Sequence, residues 1–185
     1  MAPSRGLAAA RVTAPSAIEA PLPMGRRAIL AALVAGAALA VPMIAAHAQT
    51  GPQPELPKEK LVIVTHDGKE HVFNVEMALT LDQQTVGLMN RPTVPADGGM
   101  LFDWGAPRES QMWMRNTVAS LDMLFINADG TIRSITEHTV PQSLAIIDSH
   151  GPVRATLELA AGTAERLGIL VGDTVRQRIF GNAPK

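Results

Sequence analysis

The sequence predicts a mainly β domain, built as a compact antiparallel sandwich or a closed, jelly-roll-like barrel with two short helices. Three observations point to that class. Between residues 61 and 181 the chain breaks into short apolar runs, each closed by a turn signal such as Asp67-Gly68, Asn127–Gly130 or Val171-Gly172-Asp173. One run, Val153 to Leu159, alternates cleanly, with Val153, Ala155, Leu157 and Leu159 on one face and Arg154, Thr156 and Glu158 on the other. Helical spacing occurs only twice, each time briefly, and no internal repeat interrupts the pattern.

The 185 residues leave room for one ordinary domain and an extra segment, which lies at the front. Residues 1–48 are rich in Ala and Pro and hold Arg5, Arg11, Arg26, Arg27 and a single acid, Glu19. Arg26-Arg27 precedes an apolar run from Ala28 to Val41, and Ala46-His47-Ala48 supplies small residues two apart. A charged start, a greasy middle and an Ala-x-Ala end make a secretory signal peptide, cleaved near Ala48 to leave a periplasmic or secreted protein. The run of 14 residues falls short of the roughly 20 that a membrane-spanning helix needs, so an uncleaved anchor is the lesser alternative. The paired arginines leave general secretory and twin-arginine export both open, and a start at Met24 would give a signal of ordinary length. Without residues 1–48 the balance moves from 16 basic and 17 acidic groups to 12 and 16, a net charge of −4. That leaves no electrostatic footprint for nucleic acid. With no cysteine, disulfides and thiolate chemistry are excluded.

Taken in order, Gln49 to Lys60 carries Pro52, Pro54 and Pro57 and reads as an extended Pro-rich linker, ahead of a single β domain over 61–181. Leu61–Thr65 and Val72–Met77 flank Asp67-Gly68 and predict a hairpin. Thr80 with Gln83 gives a capping box, and Leu81, Thr85, Leu88 and Met89 lie at helical spacing. That helix ends before Pro92. Met100-Leu101-Phe102 starts a strand that should fail by Pro107. Glu109 to Ile126 then holds Met112, Trp113 and Met114, a polar knot at Arg115-Asn116-Thr117, and an apolar strand. Burying such side chains is worth roughly 1.5–3 kcal/mol each, so the Trp113 strand is expected at the centre of the core. Thr131–Glu137 follows the Asn127–Gly130 turn, and His138–Pro152 is a long connection. Ala160–Leu167 is a short helix stopped by Gly168, and Thr174–Phe180 is the last strand.

In this order the chain resembles the uncharacterised family filed as domain of unknown function 192. The resemblance rests on Gly87-Leu88-Met89 with Arg91, on Gly99–Phe102, on Trp113–Thr117 followed by Leu121-Asp122, on Gly151–Arg154 with Leu157-Glu158-Leu159, and on Gly168 with Val171–Asp173. It spans roughly residues 60–180 and implies a compact, mainly β domain, often exported, without an established reaction or catalytic residue. Some members carry a cysteine pair in the loop corresponding to His138–His150, which this chain lacks.

Four groups of residues could carry chemistry. Arg91, Asn116, Thr117 and Asp122, with Trp104 nearby, form the candidate ligand site: a buried Asp122 needs partners, and Arg91 or Arg115 could grip it with two parallel bonds. Met112 and Met114 belong to a methionine-rich stretch that could hold Cu(I), though methionine more often fills core gaps. His66 and His71 flank the hairpin turn and could share a divalent metal, but nothing supplies a third ligand. Glu137, Asp122 and Glu158 could pair as acid and base in an envelope hydrolase, with Glu137 and Glu158 on adjacent strands, although Arg154, Glu137 and Glu158 read as exposed-face residues. No Gly-rich phosphate loop, nucleophile elbow or zinc-protease helix occurs, and no cofactor is implied. The expected protein is therefore an exported, non-catalytic binding or accessory module of the cell envelope. Its partner would be a small molecule or an envelope component, and it would meet membrane only through an uncleaved signal.

Overall fold

Period-2 patterning and turn chemistry produce seven strands: β1 (Lys58–Val64), β2 (Glu70–Ala78), β3 (Gly98–Met112), β4 (Leu121–Ile126), β5 (Ile132–Thr136), β6 (Ile147–Ala160) and β7 (Thr174–Arg176). Two α-helices, α1 (Leu81–Val86) and α2 (Thr163–Leu167), join them, and the expected last strand over Thr174–Phe180 stops at Arg176 and gives way to a 3-10 turn at Arg178–Phe180. The computed structural model describes residues 51–183. The proposed signal at 1–48, the Met24 start, cleavage near Ala48, and Gln49 and Thr50 of the linker all lie outside the described residues.

The strands form one sheet in the order β5-β4-β6-β3-β2-β1-β7, curled into a half-barrel. Its outer strands β5 and β7 touch at one end through a Thr131–Thr174 bridge, where the Val175 amide donates to the Gly130 carbonyl at 2.7 Å. The mainly β class with two short helices is as the sequence predicts. One pairing departs from the antiparallel expectation: β2 and β3 run parallel, from Asn74↔Gly98 to Ala78↔Phe102. Parallel neighbours need a crossover connection, and Leu79–Asp97, with α1 inside it, provides one.

Because β3, β4 and β6 lie mid-sheet, both of their faces are covered. The concave face buries Leu61, Ile63, Phe73, Leu101, Leu124 and Leu157. The convex face buries Leu88, Met100, Phe102, Met114, Met123 and Phe125 beneath α1 and the segment after β3. On this second face the register sets Glu158 of β6 between Met100 of β3 and Met123 of β4, and Thr156 between Phe102 and Phe125. Glu158 and Thr156 are therefore buried rather than on an exposed strand face, being 4% and 0% accessible.

Several expectations change for identifiable reasons. β3 does not fail at Pro107; its pairing with β6 shifts register between Asp103 and Arg108, and the bulge absorbs the proline. The Pro-rich linker packs after all: Gln53 donates its side-chain amide to the carbonyls of Gln83 and Gly87 at 3.1 and 2.8 Å, which ties the leader to the end of α1. Lys58–Lys60 already belongs to β1. Trp113 is not the interior spine. It follows the last residue of β3 and is 43% exposed, with the Arg115 guanidinium 5.6 Å from its ring centre, while Met114 takes the buried position. The core does not depend on Trp113, because β3, β4 and β6 already close both faces.

Helix α1 shows the expected capping box. The Gln83 amide donates to Thr80 Oγ1 at 3.3 Å, and the Thr80 amide donates to Gln83 Oε1 at 3.0 Å. A helix of six residues has little propagation to offset its nucleation, so the cap matters here. Thr80→Ala is expected to lower stability by about 1 kcal/mol in urea unfolding. No change would mean that packing alone holds the helix.

Candidate functional site

Asp122 and Arg91 do not meet. Asp122, fully buried on β4, accepts from three backbone amides: His138 at 3.0 Å and Gly162 at 3.1 Å on Oδ1, and Ala164 at 2.9 Å on Oδ2. These donors belong to the connection after β5 and the start of α2, so Asp122 ties both to the sheet. Arg91 instead grips Glu76 of β2 with two parallel bonds, its Nη2 at 2.9 Å from Glu76 Oε2, and Glu76 also accepts the Leu56 amide at 2.8 Å. Burial alone would raise the Glu76 pKa, but the Arg91 and Leu56 hydrogen bonds hold it below the usual carboxylate range. The pair lines a shallow cleft of about 560 Å³ between the leader and the loop before β3. Arg91→Met, by leaving the nearly buried Glu76 carboxylate without its cation, should cost about 2–3 kcal/mol in chemical unfolding. A loss below 1 kcal/mol would mean that Glu76 finds water.

Of the other candidates, Trp104 and Thr117 line a second concavity and Asn116 does not. Asn116 is exposed at φ 56°, a left-handed conformation suited to asparagine, and its carbonyl accepts the Asn90 amide at 2.8 Å. It joins the end of the α1 region to the segment after β3. Thr117, buried beside it, and Trp104 both line a pocket of about 220 Å³ between α1 and the bulged middle of β3. Trp104 packs on Phe102 with ring centres 5.8 Å apart, donates its indole N–H to Thr156 Oγ1 at 3.2 Å, and carries the Arg108 guanidinium 4.3 Å from its ring centre. Trp113 and Met112 form the far wall, and Leu88 and Met89 come from the turn after α1.

Glu158 is the residue the sequence reading placed wrongly, and it lines this pocket. Among the described residues no group hydrogen-bonds its carboxyl or pairs with it. Burial alone pushes its pKa up to about 8, so the group is mostly protonated at neutral pH. Other polar side chains on the pocket wall are committed: Gln84 donates to the Ala78 and Asp103 carbonyls, and Gln111 donates to Asp148. The alternation of β6 from Ala155 to Leu159 gave the signal that Glu158 shares a face with Thr156, although at the bulge Val153 leaves the face of Ala155, Leu157 and Leu159 for the opposite cluster. It could not show that the face is covered, because α1 and the segment after β3 arrive from elsewhere in the chain.

The remaining sets are not assembled. β4 lies between β5 and β6, so Glu137 and Glu158 are not on adjacent strands, and Asp122 is sealed among amides. His66 sits inside the hairpin loop, which the Thr65 amide closes by donating to the Lys69 carbonyl at 3.0 Å. His71 lies in β2 opposite Ile63. Among the described residues no three His, Asp or Glu side chains group as metal ligands. Met112 and Met114 pack with Leu88, Phe102 and Val153 as core filling.

The family model of DUF192, described as an uncharacterized ACR, matches residues 62–177. Two solved structures are similar. One, from Sinorhizobium meliloti, is described as a "putative transcription regulator"; it is 47% identical, with 69% of this chain and 98% of that chain covered and a TM-score of 0.67. The other, a protein of unknown function from Novosphingobium aromaticivorans, is 35% identical, with 69% and 91% covered and a TM-score of 0.65. No curated protein matches this sequence.

Proposed function

Since this chain belongs to the DUF192 family, whose function is not established, we propose from the site itself that it is an exported, non-catalytic domain of the cell envelope that binds a small organic ligand. One observation carries this reading: a carboxyl with no partner, 4% exposed, on the wall of a pocket that also holds both tryptophans of the chain. A carboxyl that has no protein partner and only slight access to water gains from a ligand that pairs with it. Two aromatic walls supply apolar area for the rest of such a molecule.

Hydrolysis of a glycosidic bond is less well supported. It calls for two carboxyl groups across the substrate, and Glu158 is the one acid lining this pocket among the described residues. The regulatory role named for the Sinorhizobium meliloti protein is not carried over, since a net charge of −4 without residues 1–48 gives no basic surface for nucleic acid. Export is supported by the Arg26-Arg27 start, the apolar run and the Ala-x-Ala end. Its check is the mass of the protein recovered from the periplasm, expected to begin at Gln49; an intact N-terminus would contradict it.

Because the chain has only Trp104 and Trp113 as tryptophans, intrinsic fluorescence reports on the pocket directly. A ligand panel should contain compounds that shift both the emission and Tm, and Trp104→Ala should weaken their binding at least about tenfold. If no compound moves both signals, the pocket is not a binding site.

A further inference from the structure

We propose that this pocket takes an organic ammonium ion, its nitrogen seated against the Glu158 carboxyl and its alkyl groups against Phe102, Trp104 and Trp113. The inference rests on the pocket being a ligand site and names the ligand's charge. Glu158 is the polar group there without a partner among the described residues, and no cation of the fold serves it. Arg154, four residues before Glu158 on β6, is paired with Asp103 of β3. Arg108, the other charged residue on the pocket wall, stacks over Trp104 and makes no ion pair with Glu158. The neighbours that β3 and β4 set beside Glu158 in register are Met100 and Met123, which carry no charge. From the α1 region Leu88 and Met89 line the site, and from the segment after β3 come Trp113 and Thr117. Both tryptophan rings already face a guanidinium of the chain, Trp104 that of Arg108 and Trp113 that of Arg115, so the rings supply apolar area and it is the ionised Glu158 carboxylate that selects for a cation. A volume of about 220 Å³ suits a small amine rather than a polymer.

The cation and the proton compete for the same carboxyl. Glu158, raised to about 8, must release its proton to solvent as the ammonium binds, so affinity should rise between pH 6 and pH 8. A neutral ligand that accepts a hydrogen bond from the protonated carboxyl would show the opposite trend.

The test titrates the purified chain with choline and with its neutral isostere 3,3-dimethylbutan-1-ol, following tryptophan emission at pH 6 and pH 8, and repeats both on Glu158→Gln. Choline should bind at least about tenfold more tightly than the isostere at pH 8, with the margin narrower at pH 6. Glu158→Gln should fold with an unreduced Tm and lose the margin. If the isostere binds as tightly as choline, or if Glu158→Gln keeps the preference, the ammonium assignment is overturned while the pocket stands. If neither choline, the isostere nor a series of tetraalkylammonium ions alters the emission, the assignment and the pocket reading fail together.

Discussion

Replacing Asp122 with alanine is expected to cost about 3–5 kcal/mol of folding stability, enough to unfold a domain of ordinary marginal stability at 37 °C. Asp122 is fully buried and accepts three backbone amides, from His138, Gly162 and Ala164. Charge-assisted bonds of this kind are worth about twice a neutral one. Their loss would strand three donors where water cannot follow, each at about 1–3 kcal/mol before relaxation. Asp122→Asn keeps the shape and one acceptor oxygen, so it should recover part of the loss; the alanine variant has none. Urea unfolding of both variants measures this directly. A cost below about 1 kcal/mol for Asp122→Ala would show that the β5–β6 connection and α2 dock without it.

Local chemistry made much of this fold legible in advance. Asp67-Gly68 announced the β1–β2 hairpin, Thr80 with Gln83 announced α1, and Gly168, at φ 68°, announced the end of α2. Each is a signal contained within a few residues. What stayed hidden depends on partners far away in the chain. The parallel pairing of β2 with β3 follows from the crossover at Leu79–Asp97, and nothing in either strand's own residues distinguishes parallel from antiparallel neighbours. Trp113 was given to the core for its size, but one position beyond the end of β3 it lines a pocket and stays 43% exposed, and Met114 turns inward.

The candidate site divided along the same line. Trp104 and Thr117, two of the residues offered as a ligand site, line one pocket because both adjoin the bulky stretch that closes the convex face. Asp122 was read as needing charged or donor partners, with Arg91 or Arg115 named, and the donors turn out to be three backbone amides. Glu76, the true partner of Arg91, carried no local sign of its role, since the two lie 15 residues apart on different elements. Glu158, offered only as an acid–base candidate on an exposed strand face, was the larger misplacement. A glutamate on an alternating strand reads as a solvated face until the covering elements are known.

Glu158→Gln should be the one substitution in the site that stabilises the protein, and by an amount that grows with pH. In the folded chain burial raises the Glu158 pKa from 4.5 to about 8. Between those values the native state holds a proton that the unfolded state has released, so stability falls as pH rises, by at most about 1.4 kcal/mol per pH unit. Across the window the loss is on the order of 4 kcal/mol; below pH 4.5 the carboxyl is protonated in both states, and above about 8 it is ionised in both. Glutamine keeps the shape and cannot ionise. The variant should match the parent near pH 4.5 and exceed it by a few kcal/mol at pH 8, read from urea unfolding at a series of pH values. Glu76 and Asp148, whose pKa values are lowered, lose their contributions as pH falls through their folded pKa values, but they do so equally in both proteins and cancel in the difference. Parallel curves for parent and variant, or a variant less stable at pH 8, would mean that the carboxylate has a partner after all. A saturating ammonium ligand should flatten the parent curve in the same way, by supplying the charge that the fold leaves out.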